Sequence, residues 1–132
     1  MVGGMIDHIG IVVTDLQKSI EFYTKALAPL GYTLLRHYPE FGAASFGQGQ
    51  KPDFWIGAAP GNPQKPDPAH VALATGKRTI VDESYKAAIA AGGTDNGGPG
   101  VRAHYHEHYY GAFVRDPDGH NIEAVCHEAY LG

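Results

Sequence analysis

The sequence repeats itself, and the repeat limits what it can fold into. The stretch DHIGIVV…IEFYTKALAPLGY in the first half aligns with AHVALAT…VDESYKAAIAAGG in the second, with His8 and His70 at equivalent points. In the first half, Ile6, Ile9, Ile11, Val12 and Val13 make a β-branched run that ends at Thr14 and Asp15, the pattern of a buried strand. Thr14 or Asp15 then caps an amphipathic helix of about 13 residues, with Leu16, Ile20, Tyr23 and Leu27 at helical spacing and a stop near Pro29 and Gly31. YTLLRHY, GAASFGQG and DFWIGAA follow as three strands divided by turn residues.

The proline-rich stretch GNPQKPDP, residues 61–68, is a loop and the natural joint. Beyond it AHVALATG repeats the strand, and RTIVDESYKAAIAAGG repeats the helix with Ile80, Ser84, Ala87, Ala88 and Ala91 on its smaller face. The second half closes with strands expected around VRAHYHEHY, YGAFVRD and HNIEAVCH, the last two joined by a DPDG turn that His120 and Asn121 serve. The expected fold class is therefore α+β: two βαβββ modules forming one curved mixed sheet around a cleft. A module that leaves one sheet face open must bury it against the other, so module one (about 5–60) and module two (about 69–128) are expected to make a single domain over 1–132. Residues 1–4 are set aside from this reading. Function is sought in the cleft.

Composition narrows the partners. A net charge of −4 and no basic stripe give a phosphate backbone nothing to hold, so nucleic acid is not expected. No run approaches the roughly 18 apolar residues of a membrane span, so no membrane partner is expected either. The single cysteine, Cys126, sits in apolar EAVCHEA and reads as a buried small hydrophobe, which fits a reducing cytoplasm.

Strand alternation puts Ile6, His8 and Gly10 on one face, and His70, Ala72 and Ala74 on one face of the equivalent strand. In the last strand Glu123 points opposite to Ile122 and Ala124, and a carboxylate in such surroundings needs a partner. Two imidazoles and a carboxylate around one cavity suit a divalent metal ion, Zn, Mn, Ni or Fe(II), with open positions for substrate oxygens. Such scattered residues match no local motif, and histidines on strands are often structural.

RAHYHEHYYG, residues 102–111, is a second candidate. If extended, it carries Arg102, His104, His106 and His108 on one face and Tyr105, Glu107 and Tyr109 on the other. It reads in three ways: a pocket wall, a solvated edge, or a second metal site. As a wall it would offer Arg102 and Tyr105 to substrate, with His104 or His106 as acid or base and Tyr110 to orient it. Trp55 and Phe54 line the cleft or belong to the core.

DHIGIVVTDLQKSIEFYTKAL, HVALAT and GAFVRDPDGHNIEAV together resemble the vicinal oxygen chelate superfamily, the group of glyoxalase I, fosfomycin resistance proteins, extradiol dioxygenases and bleomycin resistance proteins. The resemblance runs from Ile6 to His127. It implies that His8, His70 and Glu123 are the metal ligands, with Glu123 also catalytic. It also implies a homodimer, in some members with a cleft completed between chains. The glutamate that serves glyoxalase I as fourth ligand and proton shuttle is replaced here by Trp55 or Ile56, which weakens the match to that enzyme. Two functions remain. One is a metal-dependent lyase, isomerase, thiol transferase or dioxygenase acting on a small, oxygen-rich, anionic substrate. The other is a non-catalytic binding protein of the bleomycin resistance type, holding a flat ligand on its aromatics.

Overall fold

The computed structural model describes residues 5–59 and 64–129. Module one runs β1 (Ile9–Val13), α1 (Leu16–Ala26), β2 (Thr33–Tyr38), β3 (Ala43–Gly47) and β4 (Phe54–Ala58). Module two runs β5 (His70–Ala74), α2 (Arg78–Ala90), two short strands β6 (Thr94–Asp95) and β7 (Gly100–Val101), then β8 (Tyr110–Arg115) and β9 (Asn121–Cys126). The α+β class and the repeated module are as the sequence implies. Hydrogen bonding divides the strands into two sheets, one ordered β1-β4-β3-β2 and the other β5-β9-β8-β6 with β7 beside β8. In each, the first strand pairs parallel to the last, which puts β1 and β5 at sheet edges. The joint at 61–68 falls partly outside the described residues.

α1 starts where Asp15 accepts the Lys18 N–H at 3.1 Å, a side-chain N-cap. It ends before Pro29, and Gly31 takes the left-handed conformation (φ 81°) that stops the chain from continuing. One face of α1 buries Ile20, Phe22, Tyr23 and Ala26, and α2 buries Val81, Ser84 and Ala88. The small face of α2 is therefore narrower than its periodicity suggests. Helix and sheet residues of both modules join one core, in which Ile11, Val13, Phe46, Phe54 and Ile56 meet Val71, Val81, Val114 and Ile122.

The DPDG segment does more than turn the chain. The Tyr23 hydroxyl donates to Asp116 Oδ2 at 2.5 Å, and the Thr14 hydroxyl donates to Asp118 Oδ1 at 2.6 Å. His120 is 1% exposed; its Nδ1 accepts the Ala69 N–H at 2.9 Å, so Nε2 carries the proton and donates to the Val12 carbonyl at 2.7 Å. His120 thus ties edge strand β1 to module two, where a turn role alone was expected.

The run 102–109 is not a strand. It is a closed loop between β7 and β8, in which the Arg102 N–H donates to the Tyr109 carbonyl at 2.7 Å, Tyr105 N–H to the Arg102 carbonyl, and Tyr109 N–H to the His106 carbonyl. The expected alternation of faces is lost, because turns aim consecutive side chains by loop geometry.

Candidate active site

The helices cover the side of each sheet that carries Ile11 and Val13 in β1 and Val71 in β5. The opposite, open faces carry the polar candidates. On module two, Ala72, Glu123 and Phe113 stand in register across β5, β9 and β8. Glu123 is 1% exposed, and its carboxylate is satisfied on both oxygens. His70 Nε2 donates to Oε1 at 2.8 Å, and the Tyr109 hydroxyl donates to Oε2. Burial first, then the hydrogen bond to Glu123, hold the Tyr109 phenol well above its usual range. His70 is itself half-exposed and flanked by the Phe113 ring, 6.3 Å between centroids.

His8 does not join this pair. It lies on the open face of module one, where its Nδ1–H donates to Asp7 Oδ1 at 2.7 Å while Lys51 holds the other Asp7 oxygen at 2.6 Å. Among the described residues, no three His, Cys, Asp or Glu side chains lie close enough to hold a metal ion. His8 bonds to Asp7 of its own module and His70 to Glu123 of the other, so among the described residues the expected set of His8, His70 and Glu123 is not gathered into one cluster. The bond to Asp7 leaves the His8 Nε2 lone pair free, on a ring 59% exposed. A carboxylate that fixes the tautomer in this way is a common support for a metal-binding histidine. Asp7 was missed, although its place beside His8 was a signal.

Other candidates are redistributed. Tyr110 points to the helix side of β8, where its hydroxyl donates to Asp82 at 2.6 Å and Arg78 lies 5.0 Å over its ring. The tyrosine whose hydroxyl reaches Glu123 is Tyr109, one residue earlier. The slip arises because the ladder of β8 begins at Tyr110, so the two tyrosines fall on opposite sides. His106 Nδ1 accepts the His108 N–H at 3.2 Å, and its Nε2–H donates to His127 Nδ1 at 2.6 Å with the rings stacked. These two bonds occupy both ring nitrogens of His106. His104 packs on the exposed Tyr105, and Tyr105 packs edge-on against Tyr109. Arg102 lies over Phe113 at 5.4 Å. Trp55 sits in β4 in register with Gly10, on the same open face as His8, and stacks on Tyr38 at 6.3 Å and 13°. Its neighbour Ile56 is core. Cys126 is fully buried, as expected.

A cavity of about 300 Å³ opens where the first residues of β1 and β4 meet β5, lined by Asp7, Ile9, Tyr32, Asp53 and His70. The Tyr32 hydroxyl donates to Asp53 Oδ2 at 3.0 Å, and burial with this bond raises the phenol to about 12.

The model of the Glyoxalase/Bleomycin resistance protein/Dioxygenase superfamily matches residues 5–124. The chain belongs to this superfamily. It is similar to a glyoxalase/bleomycin resistance protein from Albidiferax ferrireducens T118, at 26% identity and a TM-score of 0.77 over 93% of this chain and 98% of that one. It is also similar to a glyoxalase I mutant from Zea mays, at 27% identity and a TM-score of 0.63, covering 91% of this chain and 46% of that one. A glyoxalase-related enzyme from Fulvimarina pelagi shares the fold at 19% identity and a TM-score of 0.69, over 92% and 87% of the two chains. No protein of curated function matches the sequence. Among the described residues no helix is long and apolar enough to cross a membrane. Within the superfamily's two-module frame, β4 offers an indole at Trp55, where the resemblance to glyoxalase I would call for a carboxylate.

Proposed function

We propose that this superfamily member is a metal-dependent enzyme acting on a small, oxygen-rich substrate, with each site built from two copies of the chain. His70 and Glu123 of one copy would supply two donors to Zn, Mn, Ni or Fe(II), and His8 of a second copy the third. The observation that carries this reading is the His70–Glu123 pair at 2.8 Å on an uncovered face: an imidazole nitrogen and a carboxylate oxygen already share one point. Donor chemistry fits, since nitrogen and oxygen at this spacing suit a borderline divalent ion. His8 fits as well, with a free Nε2 fixed by Asp7. Exposed apolar residues near His8, Ile6 at 81% and Val12 at 49%, give a second copy something to cover. When bound, the ion would supply Lewis acidity toward substrate oxygens.

The chain's own residues would do the rest. Tyr109 would keep its hydroxyl proton and donate it in a hydrogen bond to Glu123 Oε2, Phe113 would flank the His70 ring, and the 102–109 loop would carry Tyr109 into place. The reaction class remains that of a lyase, isomerase, thiol transferase or dioxygenase; the four-ligand chemistry of glyoxalase I is disfavoured by Trp55.

Complementation tests the shared site. His8→Ala and Glu123→Gln variants should each lose bound metal by elemental analysis. Mixed and refolded together, they should regain part of it, because one of the two sites in a mixed dimer is then intact. Full metal content in His8→Ala alone, or no recovery on mixing, overturns the proposal.

The stacked Tyr38–Trp55 pair favours a second reading, a binding protein that holds a flat ligand without metal. Trp55 is the sole tryptophan. Its fluorescence should then respond to planar aromatic ligands in chelator-treated protein and respond less in Tyr38→Ala; no response to such ligands argues against it.

A further inference from the structure

Arg102 sits at the base of the histidine-rich loop, and its guanidinium is held more firmly than an exposed arginine requires. Nη1–H donates to the Gly100 carbonyl and Nη2–H to the Gly98 carbonyl, both at 2.9 Å, while Cζ lies 5.4 Å over the Phe113 ring. The glycines make this possible. A Cβ on Gly100 would stand 3.0 Å from Nη1, and one on Gly97 would stand 3.3 Å from Nη2 and 3.2 Å from the Phe113 ring. Gly97 also has a φ of 134°, which side chains rarely adopt. The segment GGPGVR is thus a slot cut to the shape of a guanidinium.

The slot is electrically one-sided. Its partners are neutral carbonyls, and among the described residues no carboxylate lies within ion-pair distance of Arg102. The charge nevertheless neighbours the candidate site: the Phe113 ring under Arg102 belongs to a residue in register with Glu123 and flanks His70. Two carbonyls leave the remaining N–H donors of the fork free. A fixed, uncompensated guanidinium with free donors is the chemistry that recognises planar or tetrahedral oxyanions. Preorganisation adds to affinity, because the side-chain ordering is already complete before a ligand arrives.

We propose that Arg102, clamped onto Phe113 by the Gly98 and Gly100 carbonyls, docks the carboxylate or phosphate of a small anionic substrate whose other oxygens reach His70 and Glu123. This names the substrate class for the site proposed above and rests on that reading for the second half only. Anion docking itself needs no metal, so the two readings fail separately.

The test is an NMR titration of the full, chelator-treated chain with malonate and, in parallel, inorganic phosphate, each against chloride at equal ionic strength. Saturable shifts centred on the Gly98, Gly100 and Phe113 amides support the proposal, and the tighter of the two anions chooses between carboxylate and phosphate. Arg102→Met, which keeps stacking length, should weaken binding tenfold or more. Arg102→Lys should retain part of it, and serves if the methionine variant loosens the loop. Shifts no different from those of chloride in the wild type, or unchanged affinity in both variants, overturn the proposal. Full metal content in His8→Ala, or no recovery of metal on mixing the two variants, with anion binding intact would sink the metal reading and leave this one standing.

Discussion

The Tyr109 hydroxyl donates to the carboxylate of Glu123, a group only 1% exposed whose other oxygen meets His70. Tyr109→Phe removes the donor and leaves Oε2 buried without a partner. Stability should fall by roughly 1–3 kcal/mol in urea unfolding. If Glu123 is a metal ligand, zinc affinity measured by chelator competition should fall about 10–100-fold, as for other residues that orient a ligand. An unchanged zinc affinity would separate Tyr109 from the site.

Tyr23 and Asp116 join the modules from inside. Asp116 Oδ1 accepts the Asp118 and His120 amides while Oδ2 accepts the Tyr23 hydroxyl. Tyr23→Phe should cost about 1–3 kcal/mol through the stranded carboxylate oxygen. Asp116→Ala should cost more, because two buried amides lose their acceptor as well. A midpoint in urea equal to wild type for both would show that the modules do not depend on this bolt.

Alkali should reveal Tyr32. Its phenol is held up from 10.0 to about 12, first by burial and then by its bond to Asp53. The folded state binds that proton more tightly than the unfolded one. The contribution to stability is thus full below the ordinary value and is lost as pH rises toward 12. Denaturant midpoints across this window should fall less steeply in Tyr32→Phe than in wild type. Parallel curves would mean that Tyr32 titrates normally.

Gly47 ends β3 against the turn that leads to β4. A Cβ there would lie 1.8 Å from the Lys51 carbonyl oxygen, which belongs to backbone and cannot swing away. Gly47→Ala should destabilise by about 3 kcal/mol or more, above the usual range for overpacking, and lower the soluble yield. Gly49, with nothing near its Cβ position but a φ of 57°, should tolerate Asn. Reversal of that order would refute the steric account.

The repeat, the hydrophobic periods and the capping residues were enough to determine two modules, their order of elements and the helix-facing core. Those features depend on local spacing, as in the alternation of Ile9, Ile11 and Val13 and the Asp15 cap. The pairing of His70 with Glu123 was also legible, since parallel pairing of first and last strands in one module makes their open-face residues neighbours. Three other features were decided in three dimensions. The loop at 102–109 replaced a strand because its backbone closes on itself, and that brought the hydroxyl of Tyr109, not that of Tyr110, to Glu123. His120 became a bridge between modules because its two ring nitrogens face atoms from different strands. His8 bonds to Asp7 rather than joining His70 and Glu123, a choice of partner that no local period encodes.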